Sequence, residues 1–273
     1  MKLVELHPAR REIIGNIQKI VSSSLNLKDI YTSIVNELKK IMDFDRVSIS
    51  VPIEGDNLAV TFVASATANT SDVLAEGKPY PLKGSLMEQI LLTGEPIIVE
   101  DTKSGSHSTN GLFYKAGIRS RLGYPLKVRG RVIGSINFSS KEPYRFSSAQ
   151  FPLLEEICPQ LAMVTENTLL FEKVKLSEKK YKDLYNNAPD MYCTYDKDGT
   201  VLDCNETTAR MLGYPMEAIV GRSLYEFVSK KDQKFLDRVI WEGQIEGIEL
   251  QMIRKDGGSL DVSLKATPRC DET

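Results

Sequence analysis

The chain has 273 residues, 41% hydrophobic and 26% charged, with a formal net charge of −2. This length allows about two domains. The near-neutral charge removes the electrostatic case for a nucleic-acid partner, and no apolar run approaches the roughly 20 residues that cross a bilayer. The start, MKLVELHPARRE, turns charged at once and lacks the apolar core of a signal peptide. The four cysteines are scattered without a C-x-x-C pair, which argues against a disulfide framework or zinc site and fits a reducing, cytoplasmic setting.

The first predicted element is a helix within residues 1–24, where Ile13, Ile14, Ile17, Ile20 and Val21 fall at 3–4 spacing. Asn26 then caps a second helix with Ile30, Ile34, Leu38 and Ile41 on one face. The period changes to two at Val47, Ile49 and Val51, a half-buried strand, with Leu58–Ala64 as its hairpin partner. A helix over Ser85–Leu92 precedes a strand over Ile97–Glu100. The polar stretch 102–111 reads as a loop and a possible flexible lid. A short helix over Phe113–Gly117 and two strands, Ser120–Val128 and Arg131–Ser139, follow.

From Ser148 to Asn186 there is no glycine, and apolar residues recur at Leu154, Ile157, Leu161, Val164, Phe171, Val174, Tyr181 and Tyr185. This is a long closing helix that Pro159 should kink. It is either an ordinary closing helix with a solvated linker or the seam of a homodimer through residues 148–186. Beyond it, strands are expected at Asp190–Tyr195 and Thr200–Asp203 over the turn Asp198-Gly199. Helices follow at Asn205 and near Pro215, then at Lys230–Glu242, and strands at Glu246–Arg254 and Ser259–Thr267.

These orders resemble two known families. Residues 25–174 resemble a GAF domain, in the strand DRVSISV, the segment AGIRS, two strands over Arg129-Gly130 and the closing helix. Residues 189–273 resemble a PAS domain, in the stretch NNAPDMYCTYDKDGTVLDCNETTARMLGYPMEAIVGRSLYEF and the helix and two strands after it. Residues 175–188 would be a helical linker. The fold expected is α+β, with two domains, each an antiparallel sheet flanked by helices, joined by a long helix. A PAS sheet has five strands and four are visible, so a fragment of a longer polypeptide is expected.

Both resemblances imply a sensory role and a pocket for an unknown small molecule. Candidate ligand-contacting positions are Ser48, Phe113, Tyr114, Tyr124 and Asn137 in the first domain. In the second they are Tyr192, Asn205, Met211, Tyr225, Phe227 and Trp241, with simple core packing as the competing reading and helix capping for Asn205. No cofactor, metal or catalytic residue is expected. The second domain has no histidine to ligate haem. Where flavin photoreceptors carry a Gly-Arg-Asn-Cys motif, it has Gly221-Arg222-Ser223-Leu224.

In the first domain, Cys158 is the sole cysteine and is far in sequence from His107, against bilin attachment. Asn137, Lys141 and Phe146 match part of a cyclic-nucleotide signature, but Gln150 and Phe151 replace its acidic half. His107, Asp43, Asp45 and Glu54 read as solvated, and Cys193 and Cys204 as small core residues. The function expected is a sensor that controls an output domain, such as a histidine kinase, outside these residues. The alternatives are a GAF-fold enzyme of the free methionine sulfoxide reductase kind and a ligand-free dimerisation scaffold.

Overall fold

The computed structural model describes residues 15–16, 27–66, 76–104, 107–242 and 245–267. The helix expected within residues 1–24 therefore falls, apart from Gly15 and Asn16, outside them, as do Cys270 and the side chain of Trp241. The chain divides into two compact units, residues 1–172 and 173–273.

The first unit runs α1 (Leu27–Leu38), β1 (Arg46–Pro52), β2 (Leu58–Ala66), β3 (Pro79–Pro81), α2 (Leu86–Thr93) and β4 (Ile97–Val99). It continues with α3 (Asn110–Lys115), β5 (Ser120–Val128), β6 (Arg131–Ser140) and the start of α4 (Phe151–Asn186). Its six strands form one antiparallel sheet in the order β3-β2-β1-β6-β5-β4. Residues facing each other across such a ladder share a face. Val47, Ile49 and Val51 of β1 thus lie with Leu122 and Leu126 of β5 and Ile136 and Phe138 of β6. This face packs on α1, through Ile30, Tyr31, Ile34 and Leu38, and on α4, through Leu154, Ile157 and Leu161. Each such side chain, fully buried, contributes about 1.5–3 kcal/mol.

The other face corrects the sequence reading. Alternation along β1 predicts a strand half open to water, yet six of its seven residues are buried. The polar residues Arg46, Ser48 and Ser50 are covered too, because α2 and the segment around α3 close over that face. Gly123 allows α2 to come this close: a Cβ there would lie 2.2 Å from Leu86 Cδ2 and 2.6 Å from Ile90 Cδ1. Both side chains are almost fully buried and have nowhere to retreat. Gly123→Val should therefore destabilise the first unit by about 1–3 kcal/mol by overpacking. Hydrogen exchange at the α2 amides, faster than in the parent protein, would report it.

The stretch expected as a flexible lid is a pinned strap where it is described. Thr102 is buried and donates through Oγ1 to the Ile118 carbonyl (2.6 Å), and Ser108 donates to the Lys83 carbonyl (3.1 Å). Arg119 makes two bonds to Asp101, at 3.0 and 2.6 Å, and holds that carboxyl down to about 2. The following helix starts at Asn110, three residues before the expected Phe113, and ends as Gly117 turns to φ 80°. Asp45 is no solvated end either, since it accepts from Ser140 Oγ and the Lys141 amide. Asp43 pairs with Arg145.

Helix α4 follows a 3-10 turn at Ser148–Gln150 that is capped by a Ser147/Gln150 box. It runs 36 residues through Pro159, about 54 Å at 1.5 Å per residue. The apolar positions of the sequence reading split here. Leu154, Ile157 and Leu161 are core, whereas Phe171, Val174 and Tyr181 are exposed.

The second unit contains β7 (Cys193–Tyr195), β8 (Val201–Cys204), α5 (Glu206–Leu212), α6 (Gln233–Glu242), β9 (Ile245–Ile253) and β10 (Ser259–Ala266). The four strands pair among the described residues as two separate antiparallel ladders, β7–β8 and β9–β10. Val201, Leu212, Ile219, Phe227, Leu236 and Leu250 belong to its core. β7 is shorter than expected because Asn205 takes the backbone groups before it: Oδ1 accepts from the Tyr192 amide, and Nδ2 donates to the Asp190 carbonyl. Helix α6 starts at Gln233 rather than Lys230. Just before it, the Asp232 carboxylate accepts from Ser229 Oγ and the Gln251 amide. Cys204 is buried, but Cys193, expected in the core, is exposed.

Candidate functional site

The covered polar face of the sheet holds a cavity. Arg46, Ser48 and Ser50 of β1, Thr61 of β2, Tyr80 of β3, Arg121 of β5 and Asn137 of β6 line its floor. Ser85, Leu86, Met87, Thr109, Leu112 and Phe113 line its roof. It leaves about 30 Å³ for the centres of water-sized molecules, enough for a few waters or a compact ligand. The strand register builds the floor: Ser48 pairs with Asn137, Ser50 with Thr61, and Gly123, two residues after Arg121, with Asn137.

Two arginines set the electrostatics. Arg121 is 6% exposed; its guanidinium lies 3.5 Å from the centre of the Phe113 ring, and Nη1 donates to Thr109 Oγ1 (3.3 Å) and, at 3.5 Å, toward Asn110 Oδ1. Its Nε is buried without a hydrogen-bond partner. Burial pulls Arg121 down to about 9, with the charge of Arg46 adding to the fall and Tyr80 opposing it. It stays cationic at neutral pH. Arg46 is 3% exposed and donates to Ser48 Oγ at 3.0 Å; burial lowers it also. Among the described residues, no carboxylate lines the cavity. A buried cation without an opposite charge carries a desolvation penalty of several kcal/mol.

Neutral groups complete the site. Asn137 Nδ2 donates to Ser50 Oγ (3.2 Å), and Ser135 Oγ donates to Asn137 Oδ1 (3.1 Å). His107, expected to be solvated, is half-buried and bonded to Gln89 Oε1 at 2.7 Å. Burial, then the charge of Arg121, lowers its pKa.

Of the candidates in the first unit, Ser48, Phe113 and Asn137 line this cavity. Tyr114 is 41% exposed and lies beneath Arg119. Tyr124 faces the opposite side of the sheet, edge-on to Phe151. In the second unit Phe227 is core, packed edge-on to Tyr214, and Tyr225 donates to Asp237. Tyr192 and Met211 are exposed. Asn205 is fully buried and has both donors and its acceptor committed to protein groups. The arginines were missed because a strand arginine reads as a solvated charge. The available signal was their phase, since Arg46 shares the Ser48/Ser50 period and Arg121 sits two residues before Gly123.

A sheet sealed by helices on one face and closed over a polar cavity on the other defines a domain of mixed α and β built around an internal pocket. Residues 26–164 match the GAF domain family, and residues 189–272 match a PAS domain family. The chain belongs to the GAF domain family and carries a PAS domain after it.

The GAF domain of an Acinetobacter phosphoenolpyruvate-protein phosphotransferase is 20% identical, with a TM-score of 0.50 over 60% of this chain and 97% of that one. The corresponding domain from Coxiella burnetii is 15% identical, with a TM-score of 0.51 over 60% and 96%. These likenesses show the fold. Sporulation kinase E of Bacillus subtilis is 27% identical over 103 residues, which are 38% of this chain and 13% of the kinase. The chain thus matches only a small part of that relative's length. Among the described residues, no helix is long and apolar enough to cross a membrane.

Proposed function

We propose that the chain is the sensory region of a cytoplasmic signal-transduction protein, with residues 25–174 as the input domain, 175–188 as linker and 189–273 as a relay. A small molecule held in the covered cavity would bias the sheet and the helix packed on its far side, a shift of population rather than a chemical step. The output would be a histidine kinase, a reading that the match to sporulation kinase E supports. The observation that carries the proposal is the polar cavity on a face that water would otherwise occupy. Native mass spectrometry of gently purified protein tests it. A compact small-molecule adduct, lost on denaturation, is expected, and bare protein with no response to any added small molecule contradicts it.

A GAF-fold reductase would need a reactive thiol. Cys158 is 2% exposed and burial pushes its thiol well above the ordinary range, the opposite of an activated nucleophile.

We also infer a homodimer through α4. Met163, Leu170, Val174, Tyr181 and Leu184 are all more than half exposed. With Asn167 and Ser177 they repeat at 4–3 spacing over 22 residues, the seam of a parallel two-stranded coil, so the occupant is a second copy of the same helix. Val174→Glu should shift the sedimentation of the chain from dimer to monomer. A monomeric parent protein would exclude this pairing.

A further inference from the structure

We propose that the ligand of the first-unit cavity is a compact oxyanion, carboxylate- or phosphate-bearing, bound by Arg121 with Arg46 beside it. The proposal rests on the reading of this cavity as a ligand site and names the chemistry it would accept. Arg121 is buried on all sides, yet its hydrogen bonds go to one hydroxyl and one amide oxygen, both at long range. A guanidinium has five donors, and the Nε of this one is left unpartnered. Its forked face matches two oxygens of a carboxylate or phosphate. The ring of Phe113 blocks one side of its plane and so orients the fork. Around it stand Ser48, Ser50, Thr61 and Asn137, neutral groups that bond an oxyanion without competing for it, and Leu86, Met87 and Leu112 leave room for only a short apolar body. A neutral ligand would leave the buried Arg121 charge uncompensated.

The test is calorimetric titration of the full chain with acetate, pyruvate, succinate, citrate and inorganic phosphate at matched ionic strength. Acetamide, succinamide and glycerol serve as uncharged counterparts. At least one oxyanion should bind one-to-one and its uncharged counterpart should not; a carboxylate or a phosphate response assigns the headgroup. Arg121→Met should weaken that binding by about 10- to 100-fold, the loss of one charge-assisted pair. Arg121→Lys, which keeps the charge but not the fork, should weaken it less and serves if the Met variant does not fold. Arg131→Gln, at an exposed arginine away from the cavity, should leave it unchanged. Failure of every oxyanion while a neutral molecule co-purifies or binds would overturn the anion assignment and leave ligand sensing standing. Bare protein that binds nothing would overturn both. Undiminished binding by Arg121→Met would also sink the assignment.

Discussion

Asn205→Ala should destabilise the second unit by about 3–5 kcal/mol, the sum of a lost helix cap and of buried backbone groups left without partners. Asn205 Oδ1 accepts from the Thr208 amide at 3.0 Å, which caps α5, and from the Tyr192 amide at 3.0 Å. Its Nδ2 donates to the carbonyls of Tyr185 (3.0 Å) and Asp190 (2.9 Å). One side chain thus ties the end of α4, the entry to β7 and the start of α5. Asn205→Asp keeps the acceptor but turns a carboxylate toward two carbonyls, so it should recover little. The chain's single tryptophan, Trp241, lies on α6, so its fluorescence during urea unfolding follows this unit. A loss below about 1 kcal/mol would mean that water replaces these bonds and that the tie is not structural.

Phe138→Ala should cost the first unit about 3–5 kcal/mol, the range for emptying a large aromatic site in a core that relaxes only partly. Phe138 is fully buried on β6, and its ring meets Phe44 edge-on at 5.3 Å. It points to the helix-covered face, away from the cavity, while its neighbour Asn137 points in. The two faces of one strand therefore separate two roles. Phe138→Ala should lower the thermal midpoint of the first unit and leave ligand affinity within a few-fold while that unit is folded. Asn137→Ala should weaken ligand binding by more than that in protein that is still folded, besides the stability it loses with its bonds to Ser50 and Ser135. If Phe138→Ala instead abolished binding in folded protein, the cavity floor would depend on the apolar face more than its hydrogen bonds indicate.

Most elements were legible in the sequence because local rules decide them. The β5–β6 pair turns at Arg129-Gly130 with both inner ends as expected, and Asn205 caps its helix as its residue type suggests. The site was legible only in part. Ser48, Phe113 and Asn137, read as candidates, line the cavity, but the alternation of Ser48 and Asn137 with apolar neighbours looks the same whether the polar face meets water or a covering helix. What covers it is α2 and the segment around α3, tens of residues away in sequence, and the approach depends on Gly123, which no local pattern marks. Arg121 stood inside a segment noted for its order of elements; its phase with Gly123 was visible, but it is the register across β6 that puts that phase on the face of Asn137. In the second unit Phe227 marks packing while Tyr192 is exposed, and Asn205 is a structural tie rather than a free polar group.

The most direct test of the central claim, that the covered face of the first-unit sheet is an input site, is a crystal structure of protein purified under native conditions. The account predicts electron density for a small molecule in contact with Arg121 and Asn137, beneath Met87 and Phe113. Ordered water alone in that cavity, with a ligand found elsewhere in the chain, would contradict it.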